Sequence, residues 1–150
     1  MKIHKILVPV DFSEHSQRAL DEAVSLAKHF GAEVMVFHCY VLPIPSVGSV
    51  PYGTLAPERY VDAVRTAAIQ RVNQWRDKAR AHGVRAEGRV GAGNPPSEIT
   101  ALAEEIGADL IVIGTRGLSG LEHVLLGSVA ERTIRIAPCP VLTVKHAVAR

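Results

Sequence analysis

A glycine-rich segment in the last third of the chain has the composition of a phosphate-binding loop. Its glycines have the spacing Gly114-x2-Gly117-x9-Gly127, and Ser128 follows the last of them. Gly114 and Gly117 have no Cβ, so they leave room for a ligand against the main chain and can adopt backbone angles that other residues avoid. We expect a helix over 129–136 to begin directly after this pair. The first N–H groups of a helix lack intrahelical partners and lie at the positive end of its dipole, so they can bind an anion.

Two apolar runs are predicted to be the strands that position this loop. Leu110 to Ile113 is unbroken and suits a strand buried on both faces of a parallel sheet. The first run, Ile3 to Val10, ends beside Asp11. Ligands of open α/β sheets bind outside the carboxyl ends of the strands, so both runs lead into a candidate site. Asp11 can also hold its own turn by accepting backbone N–H bonds.

The rest of the chain alternates between helical and strand patterns. Ser13 is the predicted N-cap of a helix over 14–30, and Gly31 is predicted to end it. Further helices are predicted over 58–81 and 97–106, and further strands over 32–40, 84–90 and 141–144. Without an internal repeat, this order predicts one α/β domain over residues 1–150. Its sheet is expected to be five-stranded and parallel, with helices on both faces.

The overall composition is that of one soluble globular domain. The chain has 150 residues, of which 47% are hydrophobic and 21% are charged, as is ordinary for such domains. Lysine and arginine exceed aspartate and glutamate by only 17 to 15, so charge favours neither a nucleic acid nor a membrane partner. No apolar run has the length of a signal-peptide core or a bilayer span, and we expect a cytoplasmic location. Cys39 and Cys139 lack the spacing of a zinc site or disulfide framework.

Residues 41–57 form an unusually long connection. The segment contains four prolines and two glycines, which exclude a regular helix or a central strand. Connections of this length are usually functional or disordered. Three interpretations therefore stay open: a flexible excursion, a cover over the ligand and a contact with another chain.

The glycine motif, with its preceding strand and Ser128, resembles the nucleotide-binding motif of the universal stress proteins. Two further segments carry the resemblance, which covers essentially the whole chain: Ile6 to Ser13 near the start and Pro138 to Val144 near the end. It implies a three-layer open sandwich like that of the adenine nucleotide alpha hydrolases, with strand order 3-2-1-4-5. In this order the first and fourth strands are neighbours, so Asp11 and Gly114 are expected at the same edge of the sheet.

The resemblance also implies which residues contact an adenine nucleotide. Asp11 matches an aspartate that lies beside the adenine and ribose, and we therefore favour a ligand contact for its carboxylate. The main chain from Phe37 to Cys39 is expected to flank the base, although the His38 side chain is more typical of a packed histidine. Val90 and Gly91 are expected to approach the ribose or the base.

The phosphates are expected at the glycine loop. Arg116 and Ser119 can add phosphate contacts, and the alternative for Arg116 is a solvent-facing loop arginine. The complete set of candidate ligand-binding residues is Pro9, Val10, Asp11, Ser13, His38, Cys39, Val90, Gly91, Gly114, Thr115, Arg116, Gly117, Gly127, Ser128 and Val129.

The motifs of three other classes of protein are incomplete. A Walker loop needs lysine after its last glycine, where this chain has Ser128. The hydrolase elbow G-x-S-x-G fails at Leu121, which replaces the final glycine. A dinucleotide fingerprint after the third strand has Pro96 in place of its third glycine. Asn94 as a helix N-cap with Pro95 at the first helical position explains that segment structurally.

The leading hypothesis is a regulatory universal stress protein that binds ATP, with Mg²⁺ on its phosphates, and acts as a homodimer rather than as an enzyme. The exposed edge of 141–144 is expected to pair with its copy, as in many relatives. One alternative is a nucleotide-independent protein-interaction module. Another is a slow ATPase or phosphotransferase assisted by Glu122 or His123. Nucleotide binding defines only the input, so a downstream protein partner of unknown identity is also expected.

Overall fold

A computed structural model describes residues 1–42, 58–116 and 126–145 of the chain. Strands and helices alternate within these residues. They are β1 (Lys5–Pro9), α1 (Glu14–Phe30), β2 (Glu33–Tyr40), α2 (Glu58–Ala81), β3 (Arg85–Ala92), α3 (Pro95–Ile106), β4 (Leu110–Gly114), α4 (Ser128–Ile136) and β5 (Val141–Val144). The strands form one parallel sheet in the order β3-β2-β1-β4-β5. The predicted sheet and strand order are confirmed.

The hydrophobic core lies on both faces of this sheet, because successive side chains of a strand point to opposite faces. Ile6 and Val8 of β1 belong to a buried cluster with side chains of α1 and α2, among them Trp75. Leu7 belongs to a second cluster with side chains of α3 and α4, among them Ile99. Two helices therefore cover each face, as predicted for a three-layer sandwich.

The helix ends follow the local signals of the sequence. The Ser13 hydroxyl accepts a hydrogen bond from the Ser16 N–H at 3.2 Å, and Gly31 ends α1 in the left-handed conformation with φ 69°. Asn94 caps α3 by accepting from the Ser97 N–H at 3.4 Å. The predicted caps are confirmed, and each satisfies a backbone group that the helix leaves without a partner.

Several predictions made for the loops fall outside the described residues. Of the connection 41–57, the structure describes only Val41 and Leu42. Gly117, Ser119, Glu122 and His123 also lie outside the described ranges. Among the helices that are described, none is long and apolar enough to cross a bilayer.

Asp109, the residue before β4, holds the start of β1. Its Oδ2 accepts hydrogen bonds from the backbone N–H groups of His4 at 2.7 Å and Lys5 at 3.0 Å. Its own N–H donates to the Lys5 carbonyl at 2.9 Å. The two accepted bonds lower the pKa of the Asp109 carboxyl, because they favour its charged form. These bonds set where β1 begins relative to β4.

Replacing Asp109 with alanine is expected to lower the free energy of unfolding by about 1 kcal/mol at neutral pH, because two N–H groups lose their acceptor. The pKa in the folded state lies below the ordinary 3.8, so this stabilisation is present above that pH and is lost as the pH falls through the folded-state pKa. Urea unfolding of both proteins at neutral and acidic pH measures the effect. Asp109→Asn keeps an oxygen acceptor and should retain most of the stability at neutral pH. An alanine variant whose deficit persists unchanged at acidic pH would contradict this account.

Candidate functional site

The strands β1 and β4 lie side by side but separate towards their carboxyl ends. Their pairing ends at Leu7 and Ile111 after two residue pairs. By contrast, β1 stays paired with β2 as far as Pro9. A gap therefore opens between β1 and β4 at the point where the winding of the sheet reverses, which is where open α/β proteins bind ligands.

Pro9 explains why the pairing ends. In a parallel strand, the N–H and C=O groups of one residue point to one neighbouring strand, and those of the next residue point to the other. The Lys5 carbonyl bonds to Asp109 beside β4, whereas the Val10 N–H bonds to Phe37 of β2. Odd-numbered residues of β1 therefore face β4. Pro9 stands where the next N–H would continue this ladder, and proline has no N–H to donate.

A cleft lies at this gap and is lined by residues from five separate segments of the chain. Most of the predicted candidates line this cleft: Pro9, Val10, Asp11, His38, Cys39, Gly114, Thr115, Arg116, Gly127, Ser128 and Val129. Asp11 and Gly114 thus lie at the same edge of the sheet, as the strand order predicts.

The start of α4 presents backbone donors to the cleft. The Gly127 N–H donates to the Thr115 carbonyl at 2.6 Å and so holds the helix start beside the end of β4. The first helical bond runs from the Glu131 N–H to the Gly127 carbonyl at 2.9 Å. The N–H groups of residues 128–130 precede that bond, and Gly127 has no side chain to accept from them. The first N–H groups of a helix have no partner within that helix, and this is the arrangement that binds anions.

Gly114 acts differently from the prediction, whereas Gly127 stands at the start of a helix as expected. Gly127 has φ −67°, and Gly114 is not among the residues with positive φ, so neither supplies a left-handed backbone. A Cβ on Gly114 would lie 2.9 Å from the backbone carbon and oxygen of His15. Gly114 is therefore needed because β4 packs directly against the first turn of α1. Its close neighbour is the chain itself.

Asp11 accepts hydrogen bonds that hold its own turn, which is the structural role considered for it above. It also lines the cleft. Its Oδ1 accepts from the Ser13 N–H and from the Ser16 hydroxyl, both at 3.0 Å. A carboxylate has about four lone-pair sites. Because Asp11 lines the cleft, a ligand bound there would lie beside a carboxylate acceptor.

One wall of the cleft is apolar. Phe37, Ile99 and Ile113 line the cleft and belong to the buried cluster beneath α3 and α4. The Phe37 ring packs against Gly91. A Cβ at that position would lie 2.9 Å from the ring carbon Cζ, so the glycine makes room for the ring. This wall suits the flat face of an aromatic ligand group.

Cys39 contributes a protonated thiol to the same wall. Burial, followed by the negative charge of Glu98, raises the pKa of the thiol to about 11. Its Sγ donates to the Gly93 carbonyl at 3.6 Å. Because the thiolate is the nucleophilic form of cysteine, Cys39 is poorly suited to covalent chemistry at neutral pH.

The His38 side chain lies on the face of the sheet opposite to Phe37 and Cys39, where it packs against Phe12. Its Nδ1 lies 2.7 Å from the Val10 carbonyl oxygen, so Nδ1 is the donor nitrogen, since a carbonyl only accepts. The Phe12 and His38 ring centroids are 4.4 Å apart, and the Arg71 guanidinium carbon is 4.0 Å from the Phe12 centroid. Burial lowers the pKa of His38 and the Arg71 charge adds to this, while the Val10 hydrogen bond and Asp11 oppose it.

Four predicted candidates are not found in the lining. Val90 is partly buried and packs against the core on the α2 side, and Gly91 lies behind the Phe37 ring. Both belong to β3, which is separated from the β1–β4 gap by β2. Ser13 caps α1, and Gly117 lies outside the described residues.

Several residues that line the cleft were not predicted from the sequence. They are Ser16, Pro95, Ile99, Ile113 and Ala130. Ser16 had a usable signal, because it lies three residues after the N-cap, where capping-box side chains reach back towards the cap. The three apolar side chains and Ala130 occupy ordinary core or helix-start positions, which carry no such signal.

Comparison with known proteins gives one consistent family. The model of the Universal stress protein family matches residues 2–145. Universal stress protein YxiE of Bacillus subtilis is 36% identical over 146 residues, which cover 95% of this chain and 99% of the relative. Among solved structures, hypothetical protein MJ0577 has a TM-score of 0.85 and 28% identity, over 99% of this chain and 100% of its own.

Two similar structures are complexes with adenine nucleotides. A universal stress protein in complex with cAMP has a TM-score of 0.67 and 28% identity, over 97% of this chain and 98% of its own. The universal stress protein from Archaeoglobus fulgidus in complex with dAMP has a TM-score of 0.63 and 27% identity, over 95% and 98%.

His38 is expected to titrate below the ordinary histidine pKa of 6.5, because burial and Arg71 disfavour its charged form. The folded state therefore favours neutral His38, and this contribution to stability is present above about pH 6.5 and is lost as the pH falls through the folded-state pKa. Replacing Arg71 with glutamine should raise the pKa of His38. A proton NMR titration of the imidazole signals measures both values, with His38→Gln to assign the resonance.

Lys78→Gln is the matched control for the loss of Arg71. Lys78 lies over the Trp75 ring at 5.0 Å and is not among the groups that shift His38. Its removal should leave the His38 titration unchanged. A His38 pKa that does not respond to Arg71→Gln would show that the guanidinium has no electrostatic influence on the imidazole.

Proposed function

Since this chain belongs to the universal stress protein family, we propose that it is a small regulatory protein that binds ATP and acts as a homodimer. The observation that carries the proposal is the chemistry of the cleft. Backbone donors at residues 128–130 suit a phosphate, the Asp11 carboxylate suits a hydroxyl or amino donor, and the wall around Phe37 suits a base. An adenine nucleotide combines these three groups in one molecule.

The preference for a triphosphate rests on the number of donors near the start of α4. Residues 128–130, whose N–H groups begin α4, line the cleft together with Arg116, and phosphate oxygens accept well from backbone N–H and guanidinium groups. Mg²⁺ would enter with the triphosphate, since it binds the phosphate oxygens of its substrates in many nucleotide sites. The cAMP and dAMP complexes of similar proteins support an adenine nucleotide as the ligand class.

The proposed dimer uses β5, an edge strand of the sheet. The Pro140 and Val144 carbonyls accept from Ile111 and Thr115 of the β4 segment, so the backbone groups of the odd-numbered residues of β5 point outward. Leu142 and two α4 residues, Ile134 and Ile136, are exposed nearby in the chain. A second copy related by a two-fold axis would pair with the strand edge and cover apolar side chains.

Replacing Gly127 with aspartate tests the phosphate site. Its φ −67° and ψ 157° are compatible with a capping side chain. An aspartate there should accept from the α4 N–H groups and raise the free energy of unfolding by a few tenths to about 1 kcal/mol. The same carboxylate would occupy the phosphate position and repel its charge. ATP binding, measured by calorimetry and by thermal shift, should fall at least about tenfold, equivalent to about 1.4 kcal/mol.

Gly127→Asn is the control, because asparagine caps a helix as well as aspartate does but carries no charge. It should give a smaller loss of ATP affinity than Gly127→Asp. The opposite signs of the two effects, a more stable protein with weaker binding, separate loss of the site from loss of the fold. The phosphate proposal fails if Gly127→Asp keeps the ATP thermal shift of the native chain.

Thr143→Pro tests the dimer. Thr143 is an odd-numbered residue of β5, so proline there removes an outward N–H while the bonds to β4 remain. Light scattering coupled to gel filtration should find a dimer for the native chain and for Thr143→Val, and a monomer for Thr143→Pro. A native chain that is monomeric throughout the working concentrations would refute the proposed assembly.

A further inference from the structure

Ser16 is a buried serine that lines the cleft. It is the third residue of α1, its residue surface is only 4% exposed, and it lines the cleft beside Asp11. Buried hydroxyls need hydrogen-bond partners. The hydrogen-bond partners of the Ser16 hydroxyl therefore indicate its role.

The Ser16 hydroxyl has an acceptor that lines the cleft. Its Oγ lies 3.0 Å from Asp11 Oδ1 and 3.1 Å from the Ser13 carbonyl oxygen. The carboxylate is the stronger acceptor, because hydrogen bonds to an ionised group are about twice as strong as neutral ones. The Ser13 N–H reaches the same Asp11 oxygen at 3.0 Å. Two donors from the start of α1 thus hold one carboxylate oxygen and restrict rotation of the carboxylate plane.

The helix turn that carries Ser16 is fixed in turn by β4. The backbone of His15 lies so close to Gly114 that a Cβ there would be 2.9 Å from it. Gly114 adjoins Thr115, whose carbonyl accepts from the Gly127 N–H at 2.6 Å. The Ser16 hydroxyl therefore belongs to a helix turn that packs against the end of β4, the same strand end to which the start of α4 is bonded.

We propose that Ser16 is a positioning residue of the nucleotide site. It holds the Asp11 carboxylate in the orientation that accepts a hydrogen bond from a neutral donor of the ligand, a ribose hydroxyl or a base amino group. The inference rests on the proposed binding of adenine nucleotides. It assigns Ser16 an effect on affinity that passes through Asp11 and does not require contact between Ser16 and the ligand.

A double-mutant cycle tests this route. Calorimetry would measure ATP affinity for the native chain, Ser16→Ala, Asp11→Asn and the double variant. Ser16→Ala should weaken ATP binding about 5- to 10-fold, the effect of losing one well-oriented hydrogen bond. In the Asp11→Asn background the same change should have little effect, because no carboxylate is left to position. Ser16→Thr retains the hydroxyl and should restore most of the affinity.

Thr100→Val is the matched control for removal of a helix hydroxyl. The Thr100 hydroxyl donates to the carbonyls of Pro96 and Ser97 within α3, and Thr100 does not line the cleft. Its removal should leave ATP affinity unchanged. Thermal unfolding of each variant establishes the temperature at which all are folded. Ser16→Cys, which is close in size and a weak donor, takes the place of the alanine variant if that one unfolds.

Ligand analogues identify the group that Asp11 accepts. The native chain and Ser16→Ala would be titrated with 2′-deoxy-ATP, 3′-deoxy-ATP and the triphosphate of purine riboside, which lacks the amino group. The difference between the two proteins should shrink for the analogue that lacks the recognised donor. An equal loss for all three analogues and ATP would overturn the inference.

The remaining outcomes separate the inference from the function on which it rests. If the native chain binds ATP and the Ser16→Ala variant binds it equally well, the positioning role of Ser16 is refuted while the proposed function stands. If Ser16→Ala weakens binding equally with and without the Asp11 carboxylate, Ser16 does not act through Asp11. If the native chain binds no adenine nucleotide, the proposed function fails, and the inference fails with it.

Discussion

The cleft depends on the absence of one backbone hydrogen-bond donor from β1. Pro9 lies on the side of β1 that faces β4, and the pairing of these strands ends at Leu7. The other strand pairs stay joined for longer, with eight residue pairs between β2 and β3 and four between β4 and β5. The chain reverses its winding between β1 and β4, so no connection crosses the opening. The Asp11 carboxylate and the start of α4 consequently face one common gap.

The turn after β1 carries backbone strain that packing offsets. Phe12 has φ 66°, and no other non-glycine residue of the described chain has a positive φ. This conformation costs roughly 1–2 kcal/mol for a residue with a Cβ. The Phe12 ring contacts His38, the Arg71 guanidinium and, edge-on at 5.4 Å, Trp75. Side chains of β2 and α2 therefore stabilise a turn that directs Asp11 towards the first turn of α1.

Much of the fold could be predicted because its signals act over a few residues. Ser13 and Asn94 begin helices and Gly31 ends one, each through bonds within one turn. The unbroken apolar run of β4 indicates a strand that is buried on both faces. Most of the cleft could be predicted for a related reason, since the carboxyl ends of parallel strands share one edge. The strand order was predicted from the family resemblance, because order depends on contacts between strands far apart in the chain. Val90 was assigned to the site in the same way, and its contact with a ligand stays a prediction; in the structure its side chain packs against the core on the α2 side.

The sequence by itself determined which elements form and which chemistry they offer, namely a helix start that attracts anions and a carboxylate at the end of a strand. Only the tertiary structure decided how these groups are held. It showed that Gly114 makes room for His15, that Pro9 faces β4, and that Ser16 reaches Asp11. The physical reason is that caps and hydrophobic periodicity depend on neighbours in the chain, whereas strand register and helix packing depend on groups that are joined only when the sheet has formed.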